Sequence, residues 1–154
     1  MWWRGTRADY KKNQGTGNKR RMKRLVDSGV VPGILAYSGG EPVGWCSIGP
    51  RESYDALGRS RVLKRVDDKP VWSIVCFFVA KGHRRKGLSV RLVKAAVKYA
   101  RSQGAKIVEG YPVAPKVGYP DAWAYPGFVS AFKKAGFSVT KRWSKVRPIM
   151  RYPG

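Results

Sequence analysis

The chain has 154 residues, of which 43% are hydrophobic and 27% are charged. This length fits one domain with a single apolar core and is too short for two domains of ordinary size. The apolar content excludes global disorder, because its burial offsets the entropy lost on folding. No run approaches the about 18 consecutive apolar residues of a membrane span, and the first residues lack the layout of a secretory signal, so we expect a cytoplasmic protein.

The charge is strongly positive, since 32 Lys and Arg residues against nine acidic residues give a formal net charge of +23. Such a field attracts polyanions, including nucleic acid and phosphorylated cofactors. A generally basic surface without such a partner explains the charge equally well. Cys46 and Cys76 lie in apolar runs and the chain has one histidine, which predicts free, buried thiols and no metal site.

The N-terminal residues 1–16 are polar and basic. We interpret them as an N-terminal arm or a truncated first element, preceding a domain that spans residues 17–154. Within 18–28, apolar residues recur at helical spacing among basic ones, which predicts an amphipathic helix that ends at Gly29.

Two apolar runs, 33–37 and 42–48, flank a Gly-Gly pair and predict a β-hairpin. The charged excursion 51–70 follows the hairpin and contains a short helical stretch near residues 53–57. We interpret the excursion as an ordinary connection, with a lid over a site as the alternative.

The segment 71–80 is rich in β-branched and aromatic residues and predicts a central strand covered on both faces. In 88–103 the apolar residues fall on one helical stripe, and Gly104 ends the predicted helix. Residues 106–111 form a second predicted strand. A strand, helix, strand unit of this kind makes its two strands parallel neighbours.

A proline-rich and aromatic loop follows, and then residues 127–135 predict a short helix. Segments 138–143 and 148–152 predict terminal strands. The predicted fold class is therefore α/β (α+β), a single domain with a mixed, mainly antiparallel sheet.

The junction between the central strand and the long helix is a basic turn that contains glycine. The free amide N–H groups of a helix's first turn and the positive end of its dipole favour an anion there, so we expect a phosphate. Gly87 lets a ligand approach the backbone, and Ser89 keeps the first turn open. Arg84, Arg85 and Lys86 add full charges. A plain turn with solvated basic residues is the alternative on these features alone.

The stretch 84–89, Arg-Arg-Lys-Gly-Leu-Ser, resembles the Q/R-x-x-G-x-G/A motif of GNAT N-acetyltransferases, with Ser89 at the last small position. The order and spacing of the predicted elements resemble that family from about Gly17 to the C-terminus. The resemblance implies a GNAT-like domain with helices on both faces of the sheet and a central parallel strand pair splayed around the cofactor. It also implies an acetyl-CoA-dependent N-acetyltransferase that acts on a primary amine.

The same resemblance implies how acetyl-CoA binds, with no metal involved. The amides of the turn would hold the pyrophosphate, and the pantetheine would lie along the end of the central strand. The implied cofactor-binding residues are Phe77, Phe78, Val79, Arg84, Arg85, Lys86, Gly87, Leu88 and Ser89. The acceptor amine would arrive at the wedge between the two parallel strands.

Acetyl transfer needs a neutral amine and a stabilised or protonated thiolate. Glu109 is the candidate base, because it is the only acid in an otherwise apolar strand. Its alternative role is that of a carboxylate paired with a neighbouring Arg, Lys or backbone amide. The family's usual thiolate partner is a tyrosine four residues before Gly136, where this chain has Phe132. The remaining acid candidates, beside solvent, are Ser130, Tyr125 and Cys76.

Tyr119 and Trp123 in the aromatic loop are candidate walls of the acceptor site, and Asp121 is a candidate for attracting a cationic amine. The acceptor is open between a small apolar or aromatic amine and a protein N-terminus or lysine. Two alternative functions are a basic nucleic-acid-binding module and a CoA-binding protein without turnover. Whether the chain forms a homodimer is also open.

Overall fold

The computed structural model describes residues 1–114 and 124–153. The strands are β1 (Gly33–Ser38), β2 (Glu41–Pro50), β3 (Trp72–Val79), β4 (Val108–Gly110), β5 (Ser138–Lys141) and β6 (Ile149–Tyr152). The helices are α1 (Arg7–Lys12), α2 (Thr16–Asp27), α3 (Asp55–Arg59), α4 (Leu88–Ser102) and α5 (Val129–Lys134). Short 3-10 turns lie at Arg51–Ser53 and Lys81–His83.

The six strands form one sheet in the order β1-β2-β3-β4-β6-β5. The pair β3 and β4 is parallel and the other pairs are antiparallel, which confirms the predicted mixed, mainly antiparallel sheet. The parallel pairing covers three residue pairs and ends at Ile74 and Gly110. Because β3 continues to Val79, the two strands separate beyond that point.

One face of the sheet packs against α4 and α5. The apolar stripe of α4 is buried there as its spacing predicts. Its neighbours from the sheet include Ile48 and Ile74, and Phe132 joins them from α5. We call this the α4 face.

The opposite face carries a second buried cluster and is called the N-terminal face. Its members come from the excursion after β2, from the sheet and from the chain's first residues: Trp3, Tyr54, Leu57, Leu63, Val75, Tyr111 and Ile149. With α4 and α5 on the other side, helices therefore lie on both faces, as predicted. Thr6 caps α1 by accepting a hydrogen bond from the amide of Asp9, and this helix was not predicted from the sequence.

Several predicted boundaries and burial patterns differ from the structure. Helix α2 begins at Thr16, and β4 is limited to the three residues that pair with both neighbours. The expectation that β3 is covered on both faces was wrong at its end, because the Phe78 side chain is 57% exposed. None of the helices within the described ranges is long and apolar enough to cross a bilayer. The cytoplasmic location stays a prediction.

The ring of Phe132 lies against the end of β4, where only a glycine fits. A Cβ atom on Gly110 would stand 2.0 Å from Cε1 of Phe132, which no neighbouring atom can tolerate. Phe132 also packs edge-on against Phe77 and Phe137, with ring centroids 5.9 Å and 5.0 Å away. The ring therefore stands beside the separating strands and is fixed from three sides.

We predict that Gly110→Ala lowers the free energy of unfolding by about 1–3 kcal/mol, because the Phe132 ring must leave its packed position. Urea denaturation measures this change. Gly58→Ala in α3 is the matched control, since a Cβ there meets nothing within 4 Å. The control should keep or raise stability, and an unchanged midpoint for Gly110→Ala would contradict the packing described here.

Candidate active site

The turn between β3 and α4 combines a helix N-terminus with an unusual backbone. Gly87 is the N-cap of α4 with φ 76°, and Arg85 also has a positive φ of 59°. No side chain caps this helix, so the first-turn amides lack a side-chain acceptor. Left-handed residues in such a turn direct successive N–H groups towards one point and create a concave anion site. The turn thus combines a helix N-terminus with two left-handed residues, and phosphate binding there stays a prediction.

The side chains of the turn have different environments. Nε of Arg84 donates a hydrogen bond of 3.0 Å to the carbonyl oxygen of Val79. The Leu88 side chain packs against the core of the α4 face, so this residue offers the site only its backbone. Arg85 and Lys86 are exposed and Ser89 is half-buried at the first helical turn.

Beyond Ile74, the edge of β3 that faced β4 becomes accessible to other groups. The amide of Phe77 donates a 2.7 Å hydrogen bond to the carbonyl oxygen of Tyr125, while the amide of Ala80 bonds to Val43 of β2. Because backbone polar groups alternate between the two edges of a strand, the amide and carbonyl of Val79 point away from β2. The Phe77 and Val79 side chains pack on the α4 face.

A cavity of about 430 Å³ opens on the N-terminal face beside this edge. It adjoins the edge through Cys76 and through Tyr125, which accepts the hydrogen bond from Phe77. We call it the aromatic chamber, and its walls include Trp2, Trp3, Tyr10, Trp45, Tyr54, Cys76 and Tyr125. This cavity was not predicted from the sequence, although the Trp pair at the head of the chain was a signal.

The predicted acid candidates take different positions. Tyr125 and Cys76 line the chamber, and burial raises the pKa of the Cys76 thiol. Ser130 is exposed on α5 and is not among the described lining residues. Phe132 is completely buried and has no proton to donate. The candidate acceptor-site residues Tyr119, Asp121 and Trp123 lie outside the described residues.

Glu109 is 1% exposed and its carboxylate is held by several donors. The hydroxyl of Tyr111 donates to Oε2 at 2.7 Å, and Nη1 of Arg51 lies 3.5 Å from the same oxygen. Nε of Arg151 donates to Oε1 at 2.8 Å. Ser73 completes the cluster with a 2.8 Å hydrogen bond to Tyr111, and burial raises the pKa of Tyr111. Each carboxylate oxygen therefore has charged or hydrogen-bonding partners, as a buried charge requires.

The network extends from Glu109 into the excursion after β2. Nη2 of Arg51 donates to the carbonyl oxygen of Leu63 at 2.6 Å, which ties the excursion to the sheet. Arg151 forms a bidentate pair with Asp67 at 2.6 and 2.9 Å. This pairing lowers the pKa of Asp67 to about 2. Two arginines and two carboxylates thus balance their charges within one network.

With this geometry established, we compared the chain with known proteins. The model of the Acetyltransferase (GNAT) family matches residues 3–114. The match covers most of the chain, including both strands that separate and the turn. The chain belongs to the GNAT acetyltransferase family. A search of curated proteins found no match.

Solved structures of GNAT N-acetyltransferases share the fold. AAC(6')-Ib in complex with ribostamycin and coenzyme A is 22% identical with a TM-score of 0.53, and the match covers 77% of this chain and 62% of that chain. A ribosomal-protein-alanine N-acetyltransferase from Brucella melitensis is 15% identical with a TM-score of 0.56, covering 89% and 76%. PaiA N-acetyltransferase from Thermoplasma acidophilum with coenzyme A is 11% identical with a TM-score of 0.57, covering 96% and 77%. The chain spans less than two thirds of the first of these neighbours.

We predict that Glu109→Gln lowers the melting temperature and leaves the rate per folded molecule nearly unchanged. The neutral amide would leave Arg51 and Arg151 without their shared charge, and breaking a buried pair costs about 3–5 kcal/mol. Thermal unfolding and single-substrate kinetics on one preparation measure both quantities. Glu41→Gln, at an exposed position, is the control. An unchanged melting temperature with kcat reduced by about 10²–10⁴ would instead identify Glu109 as the base.

We predict that the Asp67–Arg151 pair stabilises the protein at neutral pH and not near pH 2. The folded-state pKa of Asp67 is depressed to about 2, so its stabilisation is present above the ordinary carboxyl pKa of about 4 and is lost as the pH falls towards 2. Asp67→Asn should therefore melt below the parent protein at pH 7 and converge with it in acid. The exposed neighbour substitution Asp68→Asn should show no such convergence, and a pH-independent difference for Asp67→Asn would contradict the assignment.

Proposed function

We propose that the protein transfers the acetyl group of acetyl-CoA to a primary amine. One observation carries the proposal: β3 and β4 separate, and the edge of β3 that opens there leads into the turn before α4 and adjoins the aromatic chamber. A phosphorylated cofactor at the turn and an amine in the chamber would meet at that edge. Crevices at the carboxyl ends of parallel strands are where open α/β sheets bind ligands.

The residues of the turn fit the cofactor. The first-turn amides of α4, the left-handed backbone at Arg85 and Gly87, and the charges of Arg85 and Lys86 suit a pyrophosphate. The amide of Val79 on the open edge of β3 suits an extended amide chain laid beside it. Acetyl-CoA supplies the reactive thioester, and the turn and strand edge hold it in place.

The transfer itself forms one bond and breaks another. The neutral amine nitrogen forms a bond to the acetyl carbon, the carbon–sulfur bond breaks, and the thiolate leaves. The amine gives up a proton and the thiolate accepts one. Tyr125 and Cys76 line the chamber and remain the candidates for donating a proton to the thiolate, whereas Ser130 is exposed on α5.

The sequence offered Glu109 as the candidate general base, with an ion-pair partner as its alternative role. Its surroundings favour the alternative role, because both carboxylate oxygens are engaged by Arg51, Arg151 and Tyr111. With Glu109 in that role, water would receive the amine proton and the rate would rise with pH as more free amine becomes available.

The neighbours act on different acceptors. AAC(6')-Ib is an aminoglycoside acetyltransferase, and the Brucella melitensis protein is a ribosomal-protein-alanine N-acetyltransferase. A shared fold does not by itself assign either acceptor to this chain. We also assign residues 1–16 to the acceptor site, because Trp2 and Trp3 form part of the walls of the aromatic chamber. Nucleic-acid binding and homodimer formation stay alternatives.

We predict that acetyl-CoA raises the melting temperature and that Gly87→Val removes this effect. Ligand at 100 times its dissociation constant adds about 2.7 kcal/mol to the stability of the folded protein. A branched side chain at Gly87 stands where the phosphate approaches the backbone. Differential scanning fluorimetry with and without millimolar acetyl-CoA measures the shift.

Gly104→Val is the matched control for strain. Gly104 follows the other end of α4, has a φ of 85° and, like Gly87, has open space around its Cβ position. Both variants therefore carry the same backbone penalty of about 1–2 kcal/mol. Gly104→Val should retain the acetyl-CoA shift. An equal shift in both variants would remove the turn from the cofactor site.

A further inference from the structure

We infer that the acceptor is a small aromatic amine with an anionic group at the end opposite its amine, and not a polycation. This inference rests on the proposed function and adds the chemical class of the acceptor. It is carried by the chamber's size and aromatic walls, taken together with Arg4, which lines the same cavity.

The chamber's walls favour a flat, apolar body. Trp2, Trp3 and Trp45 line it together with Tyr10 and Tyr125. Trp3 and Tyr125 pack with ring centroids 6.4 Å apart. At about 430 Å³ the cavity has the size of a small-molecule site. An aromatic ring would replace water against these side chains and gain the usual apolar burial.

Arg4 supplies a positive charge to the same cavity. Its guanidinium donates long hydrogen bonds to the Ser53 carbonyl oxygen and the Tyr54 hydroxyl, at 3.4 and 3.3 Å. Among the residues that the structure describes, Arg4 forms no ion pair. A carboxylate or phosphate would accept bidentate, charge-assisted hydrogen bonds from this group. A second ammonium group would be repelled there.

The groove beside the chamber is also positively charged. The open groove next to the chamber shares Arg4 with it and also contains Arg21 and Arg24. Glu52 and Asp55 lie in the same groove, and Glu52 is paired with Arg65. The groove therefore keeps an excess of positive charge beside the chamber.

The positions of the two ends set the length of the ligand. Ser47 is the register partner of Cys76, next to the open edge of β3, and Nη2 of Arg4 lies 3.6 Å from the Cβ position of Gly49. Two residues along β2 separate these rows by roughly 7 Å, and one strand spacing of about 4.8 Å separates Ser47 from Cys76, so Arg4 lies roughly 8–9 Å from the Cys76 position on β3. The Tyr54 hydroxyl links them, since it contacts both Ser47 and Arg4. A benzene ring with para substituents spans a comparable distance, with its amine at the edge and its anion at Arg4.

Three amines that share a benzene ring and an aminomethyl group test the inference, and the rate for the diamine is halved to correct for its two equivalent amines. They are benzylamine, 4-(aminomethyl)benzoate and 1,4-bis(aminomethyl)benzene, which carry no para charge, a negative charge and a positive charge. We expect kcat/KM with acetyl-CoA to be at least about tenfold higher for the benzoate than for benzylamine, the gain of one charge-assisted hydrogen-bonded pair, and lowest for the diamine. Equal values, or the diamine as the best acceptor, would overturn the inference.

Two variants test whether Arg4 is the source of the preference for the benzoate over benzylamine. Arg4→Gln should remove the benzoate's advantage over benzylamine, whereas Arg20→Gln, which deletes an exposed charge on α2, should retain it. An advantage that survives Arg4→Gln would exclude the proposed anion position.

Binding measured without turnover separates this inference from the proposed function. Calorimetry of the three amines with the protein reports chamber selectivity even if no acetyl group moves. Selective binding of 4-(aminomethyl)benzoate without acetyl transfer supports the inferred ligand class of the chamber and argues against the acetyltransferase proposal. Acetylation of kanamycin or of an alanine-terminated peptide in preference to the benzoate supports acetyl transfer and overturns the acceptor class.

Discussion

The parallel pairing of β3 and β4 lasts for three residue pairs, and the arrangement of the site depends on this short contact. Gly110 ends β4 where the Phe132 ring occupies the space that a side chain would need. On the opposite face, the carboxylate of Glu109 holds the same strand to its neighbours through buried ion pairs. Packing on one side and charge on the other thus fix the point where the strands part. The turn and the chamber both adjoin the edge exposed there.

The sequence predicted the elements whose signals are local. The stripe of α4 and the Gly-Gly hairpin were correct because apolar periodicity and turn residues act within a few positions. The turn at 84–89 was recognisable for the same reason, since Gly87 occupies a left-handed N-cap. Helix α1 escaped prediction because its six residues bury no side chain and leave no apolar period.

The chamber and the ionic network could not be derived from neighbouring residues. Trp3 and Tyr125 meet across most of the chain's length, and nothing local to either position indicates a cavity. The Arg51 side chain is only 4% exposed, although arginine usually lies at the surface. Its burial depends on partners from three other segments. From the sequence alone, the single carboxylate of Glu109 in its apolar strand was therefore compatible with two roles, a general base and an ion-pair partner.

The network around Glu109 also constrains how the chain folds. Its pairs join residues 42, 58 and 84 positions apart. During folding, burying a charged side chain is costly unless its partners are already in place. We therefore expect Arg51, Glu109 and Arg151 to be buried together, late in folding. Partial opening of β4 would separate the Glu109 carboxylate from Arg51 and Arg151 and leave buried charges without partners. Local fluctuation of β4 is therefore costly. Amide hydrogens of β4 should accordingly exchange with solvent only when the whole domain unfolds, whereas those of α1 exchange by local fraying.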